Sequence, residues 1–241
     1  MSKAAKVKGM VTGKEKTSYG LYFMGQNIFY MLIYMYMNTY FTDVGISALT
    51  VAGIALVVKV WDAINDPIFG GLIDKIKFKK GKFVPWLRIS LIGIPVATIL
   101  MFSIPGGASP MVKVLWASIA YILWDTAYTI CDVPIFGLVT TMTSVQNERT
   151  ALNAIGRVCA MVAAMAVMII IPSFRSMLGG WTSTIVMLSV VGAITMLLCG
   201  IGWAKPVPIN PMYFRNRRAG IITVSLAGPV SNFILGLISC I

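Results

Sequence analysis

Four of the eight acidic residues in this chain, Asp62, Asp66, Asp125 and Asp132, fall inside long apolar runs. An ionised carboxylate at the centre of a bilayer costs about 3 kcal/mol, so residues of this kind mark function before structure. Lys59, Asp62, Asn65 and Asp66 lie three or four residues apart along one run, which puts them on one face of a helix. Two carboxylates and an amide oxygen are hard ligands, and a bound sodium ion or proton would relieve the repulsion between the acids. Lys59 has a plainer use as well, pairing with Asp62 to hold two helices together. A second stripe, Asp125, Thr129, Asp132 and Phe136, repeats at spacings of four, three and four. Thr129 would add a hydroxyl to the cation ligands, and Asp132 would accept charge-assisted hydrogen bonds from the hydroxyls of a solute. Arg157 is a buried cation in a later run that would neutralise Asp132 and donate to the same solute; the alternative is a purely structural Asp132–Arg157 pair. Asn27, Tyr30, Tyr34 and Asn38 share a face of the first run, where amides and phenols suit a neutral polyol, although tyrosines also serve as interfacial anchors.

The elements that position these residues are membrane helices. Of 241 residues 58% are hydrophobic and 12% charged, with a mean hydropathy of +0.83, more apolar surface than a soluble domain can hide. Continuous runs are expected to span at about 19–41, 46–73, 84–105, 113–141, 150–172, 179–203 and 219–241. Strands of a lipid-facing barrel would instead alternate over about ten residues. The basic leader, residues 1–17, is no cleavable signal, because the apolar run after it is too long and no small-residue cleavage site follows. Sixteen of the 20 Lys and Arg fall in the leader and alternate loops on one side, and only Lys113 and Arg175 on the other. That asymmetry predicts a cytoplasmic N-terminus. The net charge of +12 then reflects topology and anionic lipid, with no nucleic acid required. Four cysteines lie singly in apolar runs and the chain has no histidine, so a Cys/His zinc site is excluded. A helical bundle with an oxygen-rich cation site beside a polar cavity is how a secondary transporter couples ion to solute.

The segment Trp-Asp-Ala-Ile-Asn-Asp-Pro at Trp61–Pro67, Gly-x-x-x-Asp-Lys at Gly70–Lys75 and Gly-Lys-Phe-x-Pro-Trp at Gly81–Trp86 carry a resemblance. With Ser-Tyr-Gly at Ser18, Tyr-x-Thr-Asp-Val at Tyr40, Asp-Val-Pro-Ile-Phe at Asp132 and Glu-Arg-Thr at Glu148, residues 17–199 resemble the glycoside-pentoside-hexuronide:cation symporters of the major facilitator superfamily, the melibiose permease type. The resemblance implies an all-α membrane protein, the N-terminal six-helix half (18–201) of a twelve-helix fold with one extra C-terminal helix. It puts the coupling cation, sodium or proton, at Asp62, Asn65, Asp66 and Thr129, and a sugar or glycoside at Asn27, Asp132, Phe136 and Arg157, with Lys59 and Asp125 in support. Lys59 stands for an arginine of melibiose permease and Phe136 for a tryptophan. Gln26 and Asn27 replace a lysine and a sugar-binding aspartate, which argues against melibiose itself. Asp125 replaces a glycine. From Gly202 the chain instead resembles an internal segment of a site-2 protease, with Gly-Trp-Ala-Lys-Pro at Gly202 and Leu-Ala-Gly-Pro-Val-Ser-Asn at Leu226–Asn232. Such enzymes hold zinc with histidines and a later aspartate. This chain has no histidine and no acidic residue after Glu148, so no enzyme activity is expected and the alternative identity is a catalytically dead protease-like protein. The leading expectation is a truncated symporter half with a foreign tail at 202–241. Alternating access needs two halves, so transport would require the missing C-terminal half or a second protomer.

Overall fold

The computed structural model describes residues 11–76, 78 and 82–198. They form six helices: α1 (Gly13–Asp43), α2 (Ala48–Lys75), α3 (Val84–Met101), α4 (Pro110–Met142), α5 (Gln146–Met177) and α6 (Trp181–Leu198). Among the described residues the only regular structure is helical, and each of the first six expected spans lies on one helix. The expected seventh span, with Cys199, Cys240 and the protease-like tail, lies outside the described residues. Helix α1 begins inside the segment read as leader. Thr12 Oγ1 accepts from Glu15 N–H at 3.3 Å while Glu15 Oε2 accepts from Thr12 N–H at 2.8 Å, a capping box that satisfies two free donors at once.

Helices α2 to α6 are each long and apolar enough to cross a membrane. Helix α1 has the length, but its tyrosines, asparagines and glutamine lower its hydropathy, and several of those residues serve the cavity described below. The chain is thus a multi-pass membrane protein. Leu56, Val57 and Val60 on α2 and Met161, Met165 and Met168 on α5 are exposed apolar side chains, as expected of surfaces facing hydrocarbon or another membrane helix.

Helix α1 packs on α5 and α6, α2 on α4, and α3 on α4 and α6. The α1–α6 approach depends on small residues. A Cβ at Gly25 would stand 2.6 Å from Met196 Cγ and 3.0 Å from the Gly192 carbonyl oxygen. The ends of the bundle are tied separately. At one end Lys16 pairs with Glu148 at 2.8 Å and Lys82 with Asp74 at 2.5 Å. At the other, Asp43 Oδ2 accepts from Arg175 at 2.6 Å and from the Trp181 indole at 3.0 Å, while Lys113 donates to the Val44 carbonyl at 2.9 Å.

Candidate functional site

Helices α2 and α4 are joined by a ladder of polar contacts that the motif spacing makes possible. Trp61 Nε1 donates to Thr126 Oγ1 at 3.0 Å and, one turn on, Asn65 Nδ2 donates to Thr129 Oγ1 at 2.9 Å. Thr129 Oγ1 in turn donates to Asp66 Oδ1 at 3.1 Å. Steps of four on α2 and three on α4 keep both rungs on the facing sides of the helices. Asn65, Asp66 and Thr129, three of the four residues expected to hold a cation, are thus brought together; the fourth, Asp62, lies one turn from Asp66 on the same face.

Between α1, α2 and α4 lies a cavity of about 330 Å³. All four intramembrane aspartates and Lys59 line it, together with Thr129 and the rings of Tyr30, Tyr34, Tyr121, Trp124 and Tyr128. Four carboxylates against one ammonium make the cavity a well for positive charge. Lys59 Nζ donates to Asp62 Oδ2 at 3.1 Å, and both residues belong to α2, so this pair does not join two helices. Among the described residues no three His, Cys, Asp or Glu side chains converge as a metal cluster. A cation here would need amide and hydroxyl oxygens beside the carboxylates, which Asn65 and Thr129 supply.

Across the cavity the expected pairing of Asp132 with Arg157 and the expected burial of Arg157 need correction. Asp132 does not pair with Arg157; its Oδ1 accepts from Gln26 Nε2 at 2.8 Å, and the same nitrogen donates to Tyr128 Oη at 3.0 Å. Arg157 is exposed on α5 rather than buried. Asn27 is buried, but its Nδ2 turns back to the Phe23 carbonyl of its own helix at 2.8 Å, because the neighbouring position already supplies the amide that meets α4. Of the two amides it is Gln26 that reaches α4. Its Oε1 is buried without a partner. Phe136 continues the α4 stripe one turn beyond Asp132, half exposed, with its ring edge-on to Phe23 at 5.7 Å.

Sequence reasoning passed over Tyr121, Trp124 and Tyr128, although they alternate at helical spacing with Asp125, Thr129 and Asp132. Trp124 and Tyr128 stack at 5.1 Å with planes 16° apart, and Tyr30 meets Tyr128 at 5.4 Å. These rings form an aromatic wall beside the carboxylates.

A family model described as MFS/sugar transport protein matches residues 18–219. The chain belongs to this family. It is 34% identical over 193 residues to the uncharacterized symporter YjmB of Bacillus subtilis (strain 168), a match covering 77% of this chain and 42% of that protein. The isoprimeverose transporter of Lactiplantibacillus pentosus is 34% identical over 149 residues, 61% of this chain and 31% of the transporter. The inner membrane symporter YicJ of Escherichia coli (strain K12) is 29% identical over 193 residues, with 77% and 42% covered. The chain thus spans 42% or less of the length of each of these curated relatives. The family match also runs through residues 202–219, where the protease-like tail was expected to begin.

Proposed function

We propose that residues 18–198 form the N-terminal half of a cation-coupled sugar or glycoside symporter, with the N-terminus in the cytoplasm and the bundle in the cell membrane. One observation carries this reading: Asp66 and Thr129, bonded to each other and to the buried Asn65, and Asp132, held by the buried Gln26, line the same cavity. A sodium ion or proton held by Asp62 and Asp66, with Asn65 and Thr129 as neutral ligands, lowers the negative charge that Asp132 sees. A polyol docked on Asp132, which the buried Gln26 orients, and on the aromatic wall then meets a settled site. Coupling follows because each ligand improves the site for the other, and such coupling is reciprocal. Phe136 and Arg157 stand at the margin of this arrangement and would contact only the distal part of a glycoside.

The names of the relatives support the substrate class, and the fold supports the division of labour. Alternating access requires a second set of helices rocking against these six about a midplane site. We place that second set opposite the open side of the cavity, supplied by a C-terminal half or by another protomer. The test is binding, measured on the purified chain in lipid. Sodium is titrated against tryptophan fluorescence, then glycosides are titrated with and without sodium. Tighter glycoside binding in sodium, lost in Asp62→Cys and Asp66→Cys, is the expected result. Glycoside binding indifferent to sodium and to both substitutions refutes the proposal.

A further inference from the structure

Asp125 has no task in the scheme above, yet it lines the cavity while only 8% exposed, and its Oδ2 is buried without a hydrogen-bond partner. The other three carboxylates are better provided for. Asp62 accepts from Lys59, Asp66 from Thr129 and Asp132 from Gln26. Among the described residues that line the cavity Lys59 is the one cation, and Arg157 lies away from it, exposed on α5. Lys59 offsets one of the four carboxylates, and the coupling cation offsets a second. Two remain, and a neutral solute would leave both uncompensated.

The wall beside Asp125 has a matching character. Tyr34 and Tyr30 stack at 6.2 Å with planes 11° apart, Tyr30 leads on to Tyr128 and Trp124, and Tyr121 meets Trp124 at 6.5 Å. The Trp124 indole N–H is engaged by Thr98 Oγ1 of α3 at 3.0 Å, and Tyr128 Oη already accepts from Gln26. What Trp124 offers the cavity is therefore its ring. Aromatic faces and carboxylates both attract a cation. An ammonium group brings three N–H donors and no acceptor, which suits a site rich in acceptors. A metal ion is the poorer fit, since it needs about six oxygen ligands and no three acidic side chains converge among the described residues.

We propose that the solute of this cavity is positively charged, a glycoside whose amine sits at Asp125 against the rings of Tyr121, Trp124 and Tyr128 while Asp132 takes sugar hydroxyls. Asp125 and Asp132 stand two turns apart on α4, about 10 Å along its axis. The amine is thus carried on the aglycone rather than on the ring held at Asp132. That the solute is a glycoside rests on the symporter reading, whereas its positive charge rests on the cavity alone.

The test is binding calorimetry of the full chain in lipid, in sodium and in potassium, with 2-aminoethyl, propyl and carboxymethyl glycosides of xylose, glucose and galactose. Aminoethyl and propyl groups have nearly the same shape and differ in charge. In at least one sugar series the aminoethyl glycoside is expected to bind tenfold or more tighter than the propyl one, with the carboxymethyl glycoside weakest. Asp125→Asn should bring the aminoethyl and propyl affinities within a few-fold of each other. Should that variant fail to fold, N-acetylation of the aminoethyl probe removes the same charge on the wild type and should abolish the advantage. The proposal is overturned if in every series the aminoethyl glycoside binds no tighter than its propyl counterpart, or does not bind. An advantage that survives Asp125→Asn, or survives acetylation, overturns it equally. Sodium-dependent binding of propyl glycosides with no preference for the amine refutes the charged solute alone, and a preference for the amine without sodium dependence refutes cation coupling alone.

Discussion

Replacing Thr129 by valine keeps the shape of the side chain and removes only its hydroxyl. That hydroxyl accepts from Asn65 at 2.9 Å and donates to Asp66 at 3.1 Å, so a single atom carries both links between the α2 amide and the α2 carboxylate. A hydrogen bond to a charged group contributes about 1.5–3 kcal/mol, whereas a neutral one contributes about 0.5–1.5 kcal/mol. The first figure bears on the cation, because Asp66 loses the donor that orients it and the cation loses a ligand. At about 1.4 kcal/mol per tenfold change, sodium affinity should fall roughly 10- to 100-fold. The second figure bears on stability, because the Asn65 amide is fully buried and its N–H is left orphaned. The assay is a sodium titration by tryptophan fluorescence of wild type, Thr129→Val and Thr129→Ser, with thermal unfolding of the same samples. Serine retains the hydroxyl and should bind sodium within a few-fold of wild type. A valine variant that is less stable but binds sodium as the wild type does would refute the relay as part of the cation site and leave it a structural rung.

Gln26→Leu should weaken glycoside binding about tenfold or more while sodium binding survives, since it removes both amide bonds, to Asp132 and to Tyr128, but touches no α2 carboxylate; loss of sodium binding alone would contradict that separation. Gly25→Val should destabilise the bundle by about 1–3 kcal/mol, read as a lowered melting temperature in detergent, because the new side chain meets backbone as well as Met196, and backbone cannot step aside. Asp43→Asn and Asp43→Ala should differ. Asparagine loses an ion pair between half-exposed groups, worth about 1 kcal/mol at most, yet keeps an oxygen for the Trp181 indole. Alanine leaves that indole unpartnered and should cost about 1–3 kcal/mol; equal melting temperatures would show that the indole bond contributes nothing.

The helices were legible in the sequence because the bilayer imposes length and composition together, and the first six expected spans fall on α1 to α6 within a few residues. The start of α1 was not, because hydropathy is silent about a polar first turn, although Thr12 and Glu15 stand at capping-box spacing. The α2 and α4 stripes were legible for a related reason: a charged residue in an apolar run is conspicuous, and helical spacing says which charges share a face. The aromatic wall was hidden by the same logic. Tyr121, Trp124 and Tyr128 occupy the same stripe as the acids, yet in a chain with many membrane-borne aromatics their type carries no signal until the cavity beside them is seen.

Arg157 and Asn27 show where spacing along one helix stops informing. Whether Arg157 meets Asp132 depends on the relative rotation of α5 and α4, and α5 packs chiefly on α1, where Gly20 lets Ile155 and Cys159 approach. That docking sets the rotation of α5 by its small-residue contacts, and Arg157 is carried to the exposed side. Charge complementarity alone would have paired it with the nearest acid. Asn27 differs from Gln26 by one position, about 100° around α1. Both are buried amides, and both would read as solute ligands in a linear sequence. Only the longer side chain at position 26 spans the gap to α4, reaching Tyr128 and Asp132 with one nitrogen, while the shorter one at 27 satisfies itself on its own backbone. A site assembled from several helices is thus specified residue by residue through the packing that rotates each helix, and that packing rests on glycines and side-chain lengths as much as on the charged residues that first mark the site.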